Sequence, residues 1–208
     1  RSCPKFTPVP YREASLWDCY PEETNAPYRI AKKAHLIHAQ VNHQQYGQRF
    51  AYLIPTNLYG PGDKFHPSVS HVIPARIKRC VEAKEQGDTK MEVWGTGTAS
   101  REYLYVEDAA EANVIAAEHY EGSEPVNLGT NREITIRETV ELVASMVGYH
   151  GELVWDPTKP DGQPRRRADP GRAEALFGWH AQMPFEEGLQ RTIDWYLANR
   201  EAAERAPS

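Results

Sequence analysis

Long apolar runs are missing from this 208-residue chain: no segment approaches the roughly 20 consecutive apolar residues that a helix needs to cross a bilayer. A membrane-spanning helix is excluded. Cysteine is scarce, with only Cys3, Cys19 and Cys80, an odd number without metal-ligand spacing. That excludes a disulfide framework, and a reducing, cytoplasmic setting is expected. A secretory apolar core ahead of the folded sequence is not expected. Positive charge is in deficit, 24 Lys and Arg against 29 Asp and Glu for a net charge of -5. No broad cationic field is available to displace counterions from a phosphate backbone, so a nucleic-acid partner is not expected.

Two shorter absences matter more for chemistry. GxGxxG occurs nowhere. GTGTAS at 95–100 places Ser100 where a third glycine would fall, and an extended segment follows it, so it reads as a turn and not as a dinucleotide fingerprint. His35 and His38 lie three apart on an expected helix, but no Cys, Asp or Glu at ligand spacing completes a set, and no metal site is expected.

What is present alternates between strand and helix signals. With 40% hydrophobic residues, the chain can bury one substantial core or two small lobes sharing one. Pro27 fits an early helical position, and the Ala-, Lys- and Gln-rich stretch to about Gln45 continues that helix. FAYLIP (50–55) reads as a buried strand and KMEVW (90–94) as a second, with a helix from about Ile73 to Gln86 between them. REYLYV (101–106) is extended, Glu107 to Tyr120 helical, and PVNLG a short strand. Thr135 with Glu138 three residues on forms a capping-box signature for the next helix. A strand at Glu152–Trp155 and helices near Arg172–Leu176 and Pro184–Asn199 complete an α/β pattern.

PYRIAK (27–32) places Tyr28 and Lys32 four apart on a helix, hence on one face. A nearby ammonium favours phenolate, so the pair can act as a proton donor with its electrostatic partner; ordinary surface placement is the competing interpretation.

YRIAK with the upstream SC, PTNLYGPGD (55–63), SHVIPARIKR (70–79), VWGTGTASREYLYVEDAA (93–110) and KPDGQPRR (159–166), in this order, resemble the GDP-L-fucose synthase family. That family is a branch of the extended short-chain dehydrogenase/reductases, within the NAD-dependent epimerase/dehydratase superfamily. The resemblance runs along nearly the whole chain and corresponds to the latter two-thirds of such an enzyme. The glycine-rich phosphate loop that opens the family's N-terminal half has no counterpart here.

The resemblance implies a partial Rossmann-like parallel sheet with a smaller, discontinuous C-terminal lobe that binds the sugar nucleotide. Residues 1–58 would be the remnant of the nucleotide-binding domain, 59–100 a substrate-lobe insertion, 101–130 a return, and 131–208 the C-terminal substrate lobe with its last helix. It implies C3/C5 epimerisation of GDP-4-keto-6-deoxy-D-mannose followed by reduction at C4 with NADPH, in a homodimer formed through the helix containing Ile30 to Val41.

By the same resemblance, Cys3 and His71 exchange protons beside the ketone, as groups titrating near neutrality can. Tyr28 protonates the C4 oxygen, and Lys32 assists it and holds the ribose. Pro55, Thr56, Asn57 and Leu58, with His71, line the nicotinamide end of NADP. Arg79 and Arg101 lie near the diphosphate, where guanidinium suits phosphate oxygens. Trp94 packs on an aromatic or sugar surface, or anchors a core; Asp161 accepts donors from the ligand, or forms a turn with Gly162. Arg165, Arg166 and Arg167 add to the anion field or form a solvated basic turn. The family's serine before SC is replaced by Arg1, and Cys3 passes directly to Pro4.

Without a turn to hold the phosphate-rich end of NADPH, the 208 residues alone are expected not to turn over. Two alternatives stand beside the reductase: a truncated, non-catalytic homologue that binds a nucleotide sugar or another subunit, and a related epimerase without net reduction.

Overall fold

The computed structural model describes residues 8–18, 20 and 26–205. In chain order its elements are α1 (Ala26–Tyr46), β1 (Leu53–Pro55), β2 (Asn57–Tyr59), α2 (Val72–Gln86), β3 (Lys90–Trp94), β4 (Ser100–Arg101), β5 (Tyr103–Tyr105), α3 (Val106–His119), β6 (Val126–Leu128), β7 (Ile134–Thr135), α4 (Ile136–Val147), β8 (Glu152–Asp156), α5 (Gly171–Phe177), α6 (Phe185–Ala198) and α7 (Arg200–Ala203). A 3-10 turn occupies Glu13–Trp17. The architecture is α/β, with β1 parallel to β6 and β3 parallel to β8. No helix among the described residues is long and apolar enough to cross a membrane.

The chain divides into two compact units. The first gathers the chain up to Leu58 with Glu102–Arg132 and Arg166–Gln182; the second takes Tyr59–Arg101, Glu133–Arg165 and the chain from Met183 onward. The stretch 131–208, expected as one lobe, is therefore shared: Arg166–Gln182 carries Ala173 and Trp179 into the core of the first unit.

In that first unit, α3 buries Ala109, Ala112 and Ala116 on one helical face, against Leu104, Val126, Leu128, Ala173 and Trp179. Parallel pairing sets Leu53 opposite Val126 and Pro55 opposite Leu128. Pro55 has no N–H to extend the ladder, and the next amide, Thr56 N–H, donates to the Leu128 carbonyl at 2.9 Å. On α1, Ala26, Arg29, Lys33 and Leu36 recur at helical spacing on the buried side.

The expected extended run REYLYV breaks at Glu102, which separates β4 from β5. Its side chain is fully buried. One carboxylate oxygen accepts from the backbone N–H groups of Thr130 (2.7 Å) and Asn131 (2.8 Å), the other from Ala168 N–H (2.7 Å). Burial pushes its carboxyl above the ordinary range, opposed by these amide donors. The receiving turn is shaped for this group: Asn131 adopts φ 59°, and a Cβ on Gly129 would stand 2.7 Å from Glu102 Oε1. The Glu102 carbonyl in turn accepts Asn57 N–H (3.3 Å) and Asn57 Nδ2 (2.8 Å).

In the second unit, β3 alternates exposure along its length and turns Met91 and Val93 inward. α2 ends at Gly87 and α4 at Gly148, both left-handed, with φ 70° and 77°. α4 opens with the full capping box: Glu138 N–H donates to Thr135 Oγ1, and Thr135 N–H to the Glu138 carboxylate. Phe65 stacks on Tyr196 of α6 with centroids 4.2 Å apart and planes within 12°. Beyond α6, the short α7 brings Glu204 to Lys78, to Tyr196 OH at 2.5 Å and to Arg200 Nε at 3.1 Å.

Two stability measurements follow. Glu102→Ala leaves three amides without their acceptor, so chemical denaturation should show a loss of about 3 kcal/mol or more; a loss under about 1 kcal/mol would remove the carboxylate from this role. Glu204 is pushed up by burial but pulled further down by hydrogen bonds from Lys78, Tyr196 and Arg200, to about 2 against an ordinary 4.5. A depressed folded-state pKa gives stability that is present above the unfolded value and lost as pH falls from 4.5 toward about 2. Glu204→Gln should flatten that part of a stability–pH curve, and an unchanged acid slope would contradict the assignment.

Candidate functional site

Each unit carries its own set of the sequence-expected residues. In the first, Tyr28 and Lys32 share one face of α1, as their spacing requires, with Lys32 Nζ 5.5 Å from the Tyr28 ring centroid. Tyr28 is 56% exposed, so phenol and ammonium both face solvent within the described residues. The carbonyl of Lys32 accepts Tyr52 OH at 2.7 Å, which fixes this turn of α1. Pro55–Leu58 runs from the end of β1 into β2. Thr56 is tied to Leu128 and Asn57 to Glu102 through the bonds described above, while Leu58 is exposed. Cys3 lies outside the described residues.

The second unit carries the others. His71 caps α2 with extended backbone (φ -84°, ψ -178°) and makes no side-chain cap bond, leaving its imidazole exposed. Asp63, earlier in the same loop, accepts Lys64 N–H at 2.7 Å. Burial raises its carboxyl, opposed by that bond and by the nearby charge of His71. Arg79 is exposed on α2. Trp94 closes β3 with its indole 58% exposed, so it is not a core anchor. Its Nε1–H donates to Glu92 at 3.0 Å, and Lys159 Nζ sits 5.7 Å from its ring centroid.

Arg101 and Asp161 meet in one loop cluster. Arg101 donates to the carbonyls of Ser100 (2.6 Å), Gln163 (2.8 Å) and Asp161 (3.4 Å). The Asp161 carboxylate accepts Thr96 N–H and Thr96 Oγ1–H, both at 2.7 Å, and these donors lower its pKa. A carboxylate offers about four lone-pair sites, so acceptor capacity remains for a ligand. The GTGT turn is glycine-bound for steric reasons: a Cβ on Gly95 would lie 2.2 Å from Asp161 Oδ1, and one on Gly97 2.7 Å from the Trp155 ring. Their φ values, 87° and 78°, are left-handed besides. Arg137 completes the cluster, donating to the Thr96 carbonyl at 2.8 Å and stacking 4.3 Å from the Trp155 centroid.

Residues that the motifs did not single out also matter. Glu133 accepts Ser100 Oγ–H at 2.7 Å and pairs with Arg165 at 2.5 Å, so this first arginine of the run is engaged by an internal carboxylate. Glu102 was legible only as a lone acidic residue inside an apolar run. No group of three or more His, Cys, Asp or Glu able to hold a metal ion occurs among the described residues.

Residues 3–129 match the model of the NAD dependent epimerase/dehydratase family. GDP-L-fucose synthase 1 of Arabidopsis thaliana is 46% identical over 196 residues, covering 94% of this chain and 60% of that protein. GDP-L-fucose synthase of Escherichia coli is 42% identical over 207 residues, 95% of this chain and 64% of that protein. The crystal structure of a GDP-L-fucose synthetase from Naegleria fowleri bound to NADP superposes with a TM-score of 0.90 at 28% identity, covering 98% of this chain and 65% of that one. The chain thus spans about 60% of the length of the first of these curated relatives. With its parallel strand pairs, its Tyr28–Lys32 face and a family match over more than half its length, the chain belongs to the NAD dependent epimerase/dehydratase family.

Proposed function

We propose that this chain is the catalytic and sugar-nucleotide portion of a GDP-L-fucose synthase, acting on GDP-4-keto-6-deoxy-D-mannose. The observation that carries the reading is the exposed Tyr28 phenol with the Lys32 ammonium beside it, in a chain so similar to proteins of that name.

The 4-ketone acidifies the protons on C3 and C5, and Cys3 and His71 remove and return them. Bound NADPH supplies hydride to C4. Tyr28 donates its hydroxyl proton to the oxygen that develops charge there, and the Lys32 ammonium lowers the cost of the resulting phenolate. The described residues fit the nicotinamide end of that cofactor: Tyr28 and Lys32 present donors on one face of α1, and Pro55–Leu58 runs from the end of β1 into β2. Arg79 and Arg101 offer guanidinium groups to the diphosphate, and the exposed Trp94 face offers a stacking surface. Asp161 uses its remaining acceptor capacity on the nucleotide or sugar while it holds the GTGT turn.

The partner is a second copy of the chain. Ile30, Ile37 and Val41 are all exposed on α1, on the face next to the one that buries Arg29, Lys33 and Leu36, and they form an apolar stripe suited to a helix of another subunit. The free buried thiol of Cys80 agrees with a reducing, cytoplasmic setting.

Four outcomes test this reading. Calorimetry on the 208-residue chain should detect GDP binding, weakened about tenfold by Arg79→Ala; no GDP binding would contradict it. Because GxGxxG is absent from the sequence, the chain alone should not convert GDP-4-keto-6-deoxy-D-mannose and NADPH to GDP-L-fucose beyond stoichiometry. In a longer protein that does turn over, Tyr28→Phe should cut reduction about 100-fold with little change in GDP-sugar binding, and unchanged turnover with chemistry limiting would exclude Tyr28 as the proton donor. Light scattering should give twice the chain mass, reverting to monomer in Ile37→Asp; monomer alone at all concentrations would reject the α1 interface.

A further inference from the structure

In the second unit, His71 lies between two anchors that the last short helix supplies. Ahead of it, Phe65 is fully buried; its N–H donates to the Ala203 carbonyl at 3.1 Å, and its ring stacks on Tyr196. Beyond it, two turns along α2, Lys78 reaches the Glu204 carboxylate. Ala203 and Glu204 are neighbours at the end of α7, so consecutive residues grip the chain on either side of the stretch 66–77. Within that stretch Val69 N–H and Ser70 N–H both donate to the His66 carbonyl, at 3.1 and 3.0 Å, and Ala75 N–H donates to the His71 carbonyl at 3.0 Å as α2 begins. The exposed His71 imidazole makes no cap bond of its own, so its placement follows from this backbone.

The grip is firm. Glu204 also accepts Tyr196 OH at 2.5 Å and Arg200 Nε at 3.1 Å, while Arg200 Nη1 donates to both oxygens of Glu85, near the end of α2, at 2.6 and 2.8 Å. The Lys78 side chain is only 13% exposed where it meets Glu204, which shields the pair from solvent and salt. With its carboxyl held at about 2, Glu204 stays ionised throughout the range in which histidine titrates.

We propose that Glu204 is a positioning residue for His71: the end of α7 is a strap that fixes the stretch 66–77, and with it the imidazole that exchanges protons beside the ketone. This role rests on the GDP-sugar reading and deepens it, by assigning the last helix to the support of the proton-exchange chemistry. A group that moves a proton must sit within hydrogen-bond reach of it, and an ångström of drift costs rate.

Limited trypsin digestion of the 208-residue chain, followed by mass spectrometry, reads the strap at the exposed Lys64 beside the buried Phe65. The His71 ring NMR signal reads the imidazole. Glu204→Ala should speed cleavage after Lys64 about tenfold and shift the His71 signal. Lys78→Met keeps a helix-compatible stem and leaves Glu204 its bonds from Tyr196 and Arg200, so it severs the α2 anchor in a folded chain and should have both effects. Glu138→Ala removes the α4 capping box, destabilising the same unit elsewhere, and should have neither. No change in the two strap variants, or an equal change in Glu138→Ala, would overturn the proposal. In a longer protein that turns over, Glu204→Ala should slow solvent deuterium uptake by the keto sugar about tenfold at saturating substrate. Uptake as fast as in the wild type would overturn the proposal, and if His71→Gln abolishes uptake there, the reading of His71 itself stands. Uptake undiminished in His71→Gln would remove that reading and the positioning role together.

Discussion

A single buried carboxylate holds the first unit in register. Glu102 stands between two short strands, and its side chain collects amide donors from a turn 28 residues later and from a segment 66 residues later. Its carbonyl collects the backbone and side chain of Asn57. Burying a carboxylate is unfavourable in itself, and the arrangement is stable because amide donors replace water around it. The cost of the site also explains its neighbours. Gly129 has no side chain because the carboxylate oxygen occupies the space a Cβ would take, and Asn131 takes a left-handed conformation to aim its N–H inward.

A comparable economy governs the second unit, where Asp161 both fills the space above Gly95 and receives two donors from Thr96. The WGTGT and KPDG segments are thereby one object, held on the other side by Arg137 stacked on Trp155. Trp94 and Lys159 project from that object together. Side chains that bind a ligand need supports of this kind, because errors of an ångström in position cost binding and rate. In the first unit Asn57, within the segment proposed for the nicotinamide, has the same kind of support from Glu102.

Local signals were the most legible in sequence. The capping box at Thr135 and Glu138 depends only on residues three apart, and it formed as expected. The helices expected at 27–45 and 73–86 appear as Ala26–Tyr46 and Val72–Gln86, because helical periodicity and end glycines are local too. FAYLIP shortened to Leu53–Pro55, since strand length depends on a partner, and only Leu53 to Pro55 find one in β6. The closing helix was expected to end at Asn199, but α7 follows, held by Glu204 to Lys78 and Tyr196, contacts invisible to any short window. The placement of Arg166–Gln182 in the first unit escaped for the same reason: its apolar residues, Ala173 and Trp179, read as core without saying whose core. Of the site, Tyr28 and Lys32 were legible as a pair because four residues on a helix fix their relation. The engagement of Arg165 by Glu133 was not, being a pairing across 32 residues.

The switching of the chain between units at Leu58, Arg101, Arg132, Arg165 and Gln182 has a consequence for biosynthesis. Emerging from a ribosome, the first unit cannot close when its early helix and strand appear, because the amide of Ala168 that completes the shell around Glu102 is made late. Until then a carboxylate destined for burial stays hydrated and Leu104, Val126 and Leu128 lack the cover of Trp179. Nascent chains stalled before residue 168 should therefore be chaperone clients, because the first unit cannot mature before Arg166–Gln182 has been made.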